Sequence, residues 1–578
     1  MKSFLIYPLI TAILSTSVSF AGVTEQSFPV GAPGAAASNV FTVDLSSAKA
    51  TLAVDKNFYG SQMDPYVSVA AAQTEPKAKL DAQYELLNSM NALLPSLNLG
   101  RVRVGGNLYE NYDFKNNLTY MTKKGMGANF PFIPIYPEDF ATFGHENDIK
   151  IMFQVNMLGA GPVDAGNDVY TLNPALATAQ TAAEFVTNYN SDPATFIGDF
   201  SMGNEFEQWR DTNPDVIKKG KPSASADEYI NKYISYAVAM RKAQKKISGN
   251  PNDIKLWGPE TSGSYMDWNT GNMIDEGGKD CSWNPTIRGR VNCSYTYNGK
   301  TFTSFVPYFL FRLADYEKST KNVDKFKLLD YLSFHYYPNF RTDVNKANSY
   351  ITTANGQQDV DAMLAHTEVW DNASFVNTKD MSSYKDASPA IFTRMNKWLA
   401  DYYPTAKVGV TEFAVDSSDE TIGYHPIVRP LYLADSIGRA ARSGVAYFSQ
   451  AFLNVEAESN IPWALIRGNN ITNLGEVYSL FSNNFQGQVL KVAQTSNPMV
   501  NAYAVQTAGG ETNVMVVNKT RQEQSVGISV KLADGSAKTI LANVAQPAWS
   551  VRLYNIKADG TEVIAKTFGA SEMGVPVQ

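Results

Sequence analysis

The chain has 578 residues, of which 44% are hydrophobic, 12% aromatic and 18% charged. This composition excludes a disordered protein, and the length favours one large domain plus a smaller one. The formal charge of −7 comes without a basic block, which argues against nucleic acid or an anionic membrane as partner and favours a neutral ligand.

The N-terminus has the layout of a secretory signal peptide. A lysine at position 2 precedes an apolar run from Phe4 to about Leu14, and Ala21 ends a small-residue cleavage site. We therefore expect residues 1–21 to be removed near Ala21 and the mature protein to be secreted or periplasmic. No later apolar run is long enough to span a bilayer, so no membrane span is expected.

Glycine, alanine, proline and serine dominate the stretch that follows, so residues 22–39 are predicted to be a leader or linker. Residues 40–50 contain a short strand that we expect to join a later β-sandwich. From 51 to 487, short apolar strands alternate with helical patterns. The eight predicted strands are, in chain order, 58–61, 101–105, 149–155, 196–203, 254–258, 329–334, 408–411 and 445–449.

The stretches between these strands have helical periodicity. The first, 225–246, begins with a capping box of Ser225 and Glu228, and similar apolar faces run through 306–316, 391–402 and 431–442. Eight alternations of strand and helix indicate a (β/α)₈ barrel in the α/β class. Residues 488–578 instead show alternating strands and turns, which predict an appended C-terminal β-sandwich domain.

Two predicted barrel strands, the fourth and the seventh, run into glutamates, Glu205 and Glu412. The carboxyl ends of these strands face each other across the mouth of a barrel. Hydrolysis of a glycosidic bond needs one acid to protonate the leaving oxygen and one carboxylate to attack or to activate water. The pair fits that chemistry, although a strand-end glutamate alone is more often an ion-pair partner. Glu207 is the local alternative to Glu205.

Several other side chains are candidates for substrate binding. Asn204 could bind a sugar hydroxyl next to the reacting carbon. The stretch His335-Tyr336-Tyr337 would offer a donor and a ring to orient the glutamates, and we select His335 and Tyr336 from it. Asn107, with Arg103, either binds substrate or only ties the second strand to its neighbours.

Tryptophans could stack on sugar rings. Those in or near the predicted top-face loops are Trp209, Trp268, Trp370 and Trp463. Each alone is more often a core residue, but we expect two to line the cleft and select Trp209 and Trp463.

The two cysteines, Cys281 and Cys293, are predicted to form a disulfide in an exported protein. Zinc is the alternative, but no histidine lies near them. The other histidines show no ligand spacing, so no catalytic metal and no required cofactor are assigned. A structural calcium near Asp164–Asp168 stays open because the pattern of oxygen ligands is not specific.

An ordered set of motifs resembles glycoside hydrolase family 44. Its members are Arg103-Val-Gly-Gly-Asn107, Asn156-Met-Leu-Gly159, the run from Gly203-Asn-Glu to Val216, Gly258-Pro259, the run from Leu329 to Pro338, Val410-Thr-Glu-Phe413 and the late stretch from Asn501 to Lys519. The resemblance covers about residues 40 to 555. It implies an endo-acting, retaining β-glycanase of the endoglucanase and xyloglucanase type, with Glu205 as acid/base and Glu412 as nucleophile.

The sequence departs from that family at two positions. Phe206 stands where the family usually has proline, and Val104 stands where it usually has an aromatic residue. The resemblance therefore describes a divergent member and leaves three alternatives. They are hydrolysis of mannan or xylan, hydrolysis of a uronic-acid polymer, and a non-catalytic carbohydrate-binding protein. The expected partner is a polysaccharide, and we expect a monomer.

Overall fold

The computed structural model describes residues 23–31, 37–50, 53–63, 87–120, 132–164, 169–206, 226–262, 282–284, 289–291, 294–342, 349–376, 390–415, 423–455, 457 and 461–577. Within these ranges lie a barrel and a β-sandwich. They confirm the predicted fold class, while the predicted domain boundaries remain predictions.

Eight parallel strands close into a barrel, and each overlaps one of the eight strands predicted from the sequence. Barrel strands 1 to 8, numbered in chain order, are Tyr59–Met63, Arg101–Val104, Lys150–Val155, Asp199–Met202, Lys255–Thr261, Tyr331–Tyr336, Lys407–Phe413 and Tyr447–Ala451. Each strand pairs with the next in chain order, and strand 8 pairs with strand 1. The carboxyl ends of all eight strands therefore meet at one mouth.

Large side chains fill the amino-terminal half of the barrel interior. The ring of Trp257 stacks on Tyr331 with centroids 3.7 Å apart and meets Tyr447 edge-on. Glycines on the facing strands make this possible, because a Cβ at Gly60 would lie 2.1 Å from the Tyr447 ring and one at Gly409 would lie 2.7 Å from Trp257. These rings, together with the buried ion pair of Arg101 and Asp199 beside them, fill the interior at this end.

Helices surround the barrel, and four of them overlap the four helical stretches predicted from the sequence. They span Leu94–Leu97, Pro137–Glu146, Ala179–Asn190, Ala226–Ser248, Phe305–Lys318, Val360–Ala365, Ile391–Tyr402, Val428–Arg442 and Asn473–Asn484. The helix that starts at Ala179 has a capping box made by Thr178 and Thr181. Ser225, predicted to cap the next helix, lies outside the described residues.

A second, mostly antiparallel sheet forms the sandwich. Its strands follow the order Thr24–Pro29, Glu562–Gly569, Ser550–Ile556, Thr512–Asn518, Val500–Gln506, Gly487–Ala493, Asn39–Asp44, Gln524–Lys531 and Ala537–Gln546, and Ala53–Val54 pairs beside them. Asn39–Asp44 lies parallel to Gln524–Lys531 and antiparallel to Gly487–Ala493. Thr24–Pro29 falls in the stretch predicted to be a leader or linker, and it gains regular structure by pairing with the last strand.

A buried ionic cluster joins the sandwich to the barrel. Asp435, on helix Val428–Arg442, accepts from Lys519 Nζ at 2.7 Å, Arg439 Nε at 3.0 Å, Thr367 Oγ1 at 2.5 Å and Tyr503 OH at 2.5 Å. We call these five residues the junction cluster. Its charged members are almost inaccessible to water, so the two units are held together by groups that can pair only in this arrangement.

Five further short sheets lie outside the barrel and the sandwich in the described ranges. Tyr112–Asp113, Leu118–Tyr120 and Phe132–Pro134 form one, next to Ala160–Asp164 paired with Val169–Leu172. Asn454–Val455, Ile466–Arg467 and Asn470–Ile471 form another after barrel strand 8. Ser282–Asn284 with Gly289–Val291, and Tyr295–Tyr297 with Lys300–Phe302, are hairpins. Among the described helices, none has the length and apolar character needed to cross a membrane.

Candidate active site

A tight turn at the end of barrel strand 4 carries Glu205. Gly203 has φ of +79° and Glu205 has φ of +41°, so the chain leaves the strand through the left-handed region. A side chain at 203 would be strained there, and its Cβ would lie 3.1 Å from Glu110 Oε1. The Glu205 amide donates to the carbonyl of Glu260 at 2.9 Å, which ties the turn to barrel strand 5.

Side chains from strands 4, 6 and 7 meet at this mouth. His335 Nδ1 lies 2.8 Å from Glu205 Oε1 and 3.4 Å from Glu412 Oε2. One donor or acceptor atom from each of the three residues lies within 4.8 Å of the other two. Glu205 and Glu412 are only 8% and 6% exposed. The two glutamates predicted from the strand ends are therefore close neighbours.

The Glu412 carboxylate is held on both oxygens. Arg103 Nη1 donates to Oε1 at 2.5 Å, and the hydroxyl of Tyr337 donates to Oε2 at 2.5 Å. Arg103 is inaccessible to solvent, so its charge acts on Glu412 with little screening. The guanidinium and the hydroxyl therefore fix the orientation of the carboxylate, which suits a nucleophile.

A third carboxylate, Glu260, lies behind His335. Its Oε2 is 3.1 Å from His335 Nε2 and accepts from Thr411 Oγ1 at 2.5 Å, and its Oε1 accepts from Ser333 Oγ at 2.6 Å. Arg103 Nε lies 3.7 Å from the same Oε2. Glu260 has φ of +57°, and the register of barrel strand 5 shifts between Pro259 and Thr261. This irregularity turns the side chain into the barrel.

A chain of hydrogen bonds positions Asn204 next to Glu205. Its Oδ1 accepts from Arg103 Nη2 at 2.8 Å, and its Nδ2 donates to Asn107 Oδ1 at 2.7 Å. Its amide donates to Glu110 Oε1 at 2.5 Å. The other oxygen of Glu110 accepts from the amides of Met157 and Leu158, each at 2.9 Å. Glu110 thus joins the loops that follow strands 2, 3 and 4.

Burial and neighbouring charges shift several pKa values at this mouth. Burial lowers the pKa of His335, but Glu412, Glu205 and Glu260 together outweigh it and raise that pKa to about 10. Burial opposes ionisation of Glu260, yet Arg103 and His335 hold its pKa below the ordinary value. Burial raises the pKa of Glu110 to about 7, although three backbone amides oppose the shift.

Five of the residues predicted from the sequence come together here, namely Asn107, Asn204, Glu205, His335 and Glu412. Tyr336 does not join them, because it follows His335 on the strand and points to the other face. It is fully buried, with its ring 4.5 Å from that of Trp370. Trp209 and the alternative acid Glu207 lie outside the described residues.

The structure places the candidate tryptophans in different surroundings. Trp463 lies beyond barrel strand 8 and is 4% exposed, and its carbonyl accepts from Gln450 Nε2 at 2.8 Å, so its proposed sugar contact remains a prediction. Trp370 is a core residue stacked on Phe392, with centroids 4.5 Å apart. Trp268 lies outside the described residues.

The two departures from the family pattern have local explanations. Phe206 is buried, and its ring stacks on Tyr229 with centroids 4.0 Å apart, while the Tyr229 hydroxyl bonds the carbonyls of Met202 and Pro259. Val104 is buried at the end of barrel strand 2. Both side chains therefore pack in the core and leave the charged groups of the mouth in place.

Sequence reasoning missed Glu260, selected Tyr336 instead of Tyr337 and left Arg103 undecided. Arg103 alternates with Arg101 in a strand that is otherwise apolar, and this spacing points both side chains into the barrel. Tyr337 follows His335 by two residues, which was an available signal for the same face. Glu260 gave no such signal, because regular alternation from the inward Trp257 would point it outward.

The described donor atoms of this mouth are paired with one another. Glu412 is held by Arg103 and Tyr337, and Glu205 by His335, so we assign no metal there. The proposed calcium ligands at Asp164–Asp168 and the predicted disulfide between Cys281 and Cys293 fall on side chains outside the described part of the chain. Both remain predictions.

A (β/α)₈ barrel with two buried glutamates at the ends of strands 4 and 7, and a histidine between them, defines a glycoside hydrolase. The family model of glycoside hydrolase family 44 matches residues 153–340. The matched part of the chain, from barrel strand 3 to the residues after barrel strand 6, is similar to that family. A comparison with curated proteins finds no match.

Solved structures with a similar fold include family 44 enzymes. A bifunctional glucanase-xylanase from a metagenome library is 16% identical, with a TM-score of 0.58 over 93% of this chain and 100% of that chain. A xyloglucanase from Paenibacillus polymyxa, solved with xyloglucan, is 13% identical, with 0.56 over 92% and 99%. An endoglucanase from Clostridium thermocellum is 14% identical, with 0.56 over 92% and 100%. At such identities the likeness shows the shared fold.

Proposed function

We propose that the chain is a secreted, retaining endo-β-glycanase that cleaves β-1,4-linked plant polysaccharide, with β-glucan or xyloglucan as the first substrates to test. The observation that carries the mechanism is the short distance between Glu205 and Glu412. Their closest carboxyl oxygens are at most 4.8 Å apart, near the separation of about 5–5.5 Å in retaining enzymes and below the roughly 6.5–9.5 Å of inverting ones.

In this mechanism the two glutamates take different parts. Glu412, ionised and oriented by Arg103 and Tyr337, attacks the anomeric carbon and forms a glycosyl-enzyme ester. Glu205 protonates the leaving oxygen and then, as a base, takes a proton from the incoming water. Asn204, fixed by Arg103 and Asn107, is placed to bind the hydroxyl next to the reacting carbon.

The substrate class rests on three supports of different kinds. The chain carries no basic block that would suit an acidic polymer. Enzymes with this fold include a xyloglucanase and an endoglucanase. The glutamate pair lies at the carboxyl end of the barrel strands, where loops from several strands can bind successive sugars.

Release of reducing sugar by the purified mature chain tests the proposal. Xyloglucan, carboxymethyl-substituted cellulose, glucomannan and xylan are offered in parallel, with Glu412→Ala beside the wild type. Activity on xyloglucan or the substituted cellulose that disappears in the variant supports the proposal. Activity only on glucomannan or xylan changes the substrate. Binding without hydrolysis by the wild type would instead support a carbohydrate-binding protein.

Retention of the anomeric configuration and export of the protein from the cytoplasm are tested separately. Proton NMR of the first product shows whether its anomeric configuration equals that of the substrate, and an inverted product would contradict the covalent route. Mass spectrometry of protein collected outside the cytoplasm should give a chain that begins near Gly22 and contains a Cys281–Cys293 link. A full-length chain retained in the cytoplasm would contradict export.

A further inference from the structure

Glu260 is a buried carboxylate that the two-glutamate mechanism leaves without a task. It is inaccessible to solvent, and its Oε2 lies 3.1 Å from Nε2 of His335. The other ring nitrogen, Nδ1, lies 2.8 Å from Glu205 and 3.4 Å from Glu412. Both nitrogens of one imidazole therefore face carboxyl oxygens.

The surroundings of Glu260 determine which ring nitrogen carries a fixed proton. Ser333 and Thr411 donate hydroxyl protons to its two oxygens, and Arg103 places a positive charge 3.7 Å away. A carboxyl group with these donors is ionised and can only accept. Nε2 of His335 must therefore carry a hydrogen, because a bare nitrogen lone pair facing an ionised carboxylate would be repelled.

This fixed proton limits what the other nitrogen can do. With Nε2 protonated, Nδ1 either accepts a hydrogen from a neutral Glu205 or carries one that it donates to an ionised Glu205. The two arrangements differ by the transfer of one proton across a contact of 2.8 Å. The titratable groups that face the ring are Glu205, Glu260 and Glu412. Arg103 contacts Glu260 and Glu412, and Tyr337 contacts Glu412.

We propose that Glu260 is a positioning residue that holds His335 with its Nε2 protonated and thereby keeps Nδ1 for the proton that Glu205 delivers to the leaving group. This inference rests on the proposed role of Glu205 as acid. The balance is simple: the Glu205–His335 pair holds one exchangeable proton, loses it to the leaving oxygen and regains it from the attacking water. Glu260 itself neither gains nor loses a proton.

The charge of Glu260 also affects how tightly the pair binds that proton. An anion this close to the ring favours the protonated pair. Burial opposes protonation of His335, but Glu412, Glu205 and Glu260 together raise its pKa to about 10. Because Glu205 and His335 share the proton, one apparent pKa belongs to the pair. Loss of the negative charge at 260 should release the proton at lower pH.

The first experiment compares the pH dependence of kcat/KM in the wild type, Glu260→Gln, Glu260→Asp and Ser333→Ala. Glu260→Gln should move the alkaline limb by about 1–3 pH units toward lower pH. Glu260→Asp keeps the charge and should restore most of that shift. Ser333→Ala removes a hydrogen bond from the same carboxylate but no charge, so it should lower the rate without moving the limb.

A profile for Glu260→Gln that falls equally at all pH values would overturn the proposal, because that is the result of a merely structural residue. The second experiment observes the ring directly. The chain has four histidines, so ¹⁵N-histidine labelling can resolve His335 in the wild type and in each variant. Nε2 should remain protonated in the wild type from pH 5 to 9, and a bare Nε2 in that range would also overturn the proposal.

The two experiments separate this inference from the proposed function. If the wild type hydrolyses none of the polysaccharides, the function fails while the labelled spectrum still decides the state of His335. If the wild type is active but Nε2 is bare, the function stands and the role of Glu260 falls. If Glu260→Gln does not fold, the wild-type spectrum decides alone.

Discussion

Two buried clusters of charged residues in this protein contain the same types of residue but have different roles. The junction cluster surrounds one carboxylate, Asp435, with two cations and two hydroxyls. The mouth of the barrel instead has three carboxyl groups, Glu205, Glu260 and Glu412, around Arg103 and His335. In the first cluster the anion has more partners than it needs, and in the second the carboxyl groups outnumber the permanent cation.

This difference shows how a buried ionic cluster can be structural or reactive. Both oxygens of Asp435 accept hydrogen bonds from buried donors, so no proton is needed to complete the cluster. At the mouth, three negative charges would repel one another unless a proton is bound by His335 or Glu205. A cluster that requires a mobile proton is suited to acid–base chemistry, while a saturated cluster is suited to holding two units together.

The largest expected effect follows removal of the acid at the mouth. Glu205→Gln should lower kcat on polysaccharide by about 10²–10⁴-fold, because the amide cannot protonate the leaving oxygen. Aryl glycosides with good leaving groups need no such proton, so their first step should be much less affected. Burst kinetics on a dinitrophenyl glycoside would measure this.

The control for Glu205→Gln is Glu184→Gln. Glu184 lies on the helix Ala179–Asn190 and forms a surface ion pair with Lys115 at 3.2 Å, so this variant should keep wild-type rates. Equal losses for Glu205→Gln on good and poor leaving groups would mean that Glu205 is not the acid.

Disruption of the junction cluster should reduce stability and spare catalysis. Asp435→Asn leaves Lys519 and Arg439 buried without their shared anion, which should lower the free energy of unfolding by about 3–5 kcal/mol. Urea unfolding measures the loss, while kcat of the folded variant at low temperature should stay unchanged. Lys531→Gln, which breaks a surface pair with Asp44 at 3.3 Å, should cost less than about 1 kcal/mol.

The same cluster predicts a sensitivity to acid. Burial opposes ionisation of Asp435, but Arg439 and Lys519 hold its pKa well below the ordinary value of 3.8. The stabilisation is therefore complete above the pKa of the unfolded state and is lost as the pH falls through the lower pKa of the folded state. Below about pH 4 the wild type should lose stability more steeply than Asp435→Asn. Parallel slopes for the two proteins would contradict this assignment.

The sequence predicted regular parts of the barrel well and irregular parts poorly. Apolar runs and helical periodicity report burial directly, and for this reason all eight barrel strands overlap their predicted positions. Glu205 and Glu412 could be found because a polar residue at the end of such a run is visible in one dimension. The pairing of Thr24–Pro29 with Glu562–Gly569 could not, since no local pattern encodes a partner so far along the chain.

The direction of side chains was the second limit on what the sequence could predict. Alternation along a strand separates His335 from Tyr336 and places Tyr337 with the former, so the choice of Tyr336 neglected available information. Alternation fails at Glu260, where a left-handed φ and a shift in register reverse the expected direction. Such bulges often lie beside active sites, and their effect on side-chain direction appears only in three dimensions.

Glu110 belongs neither to the junction cluster nor to the group of three carboxyls around His335. It is a buried carboxyl group held mainly by backbone amides. Burial raises its pKa from 4.5 to about 7. The folded state thus binds the proton more tightly than the unfolded state does, so stability should fall as the pH rises from about 4.5 to 7, by about 2–3 kcal/mol. Glu110→Gln should abolish that part of the pH dependence in urea unfolding. An unchanged slope would mean that Glu110 keeps an ordinary pKa.

The smallest expected effect tests how far the mouth depends on a single neutral donor. Tyr337→Phe removes the hydroxyl that donates to Glu412 Oε2 at 2.5 Å but leaves Arg103 on Oε1. Loss of one hydrogen bond to a charged group costs about 1.5 kcal/mol, so kcat/KM should fall roughly tenfold. The expected loss is in kcat, because the bond orients the nucleophile. The same change at Tyr336, which packs on Trp370, should affect stability more than kcat. A larger loss of kcat at 336 than at 337 would mean that the tyrosine facing the core, and not the one facing Glu412, supports the reaction.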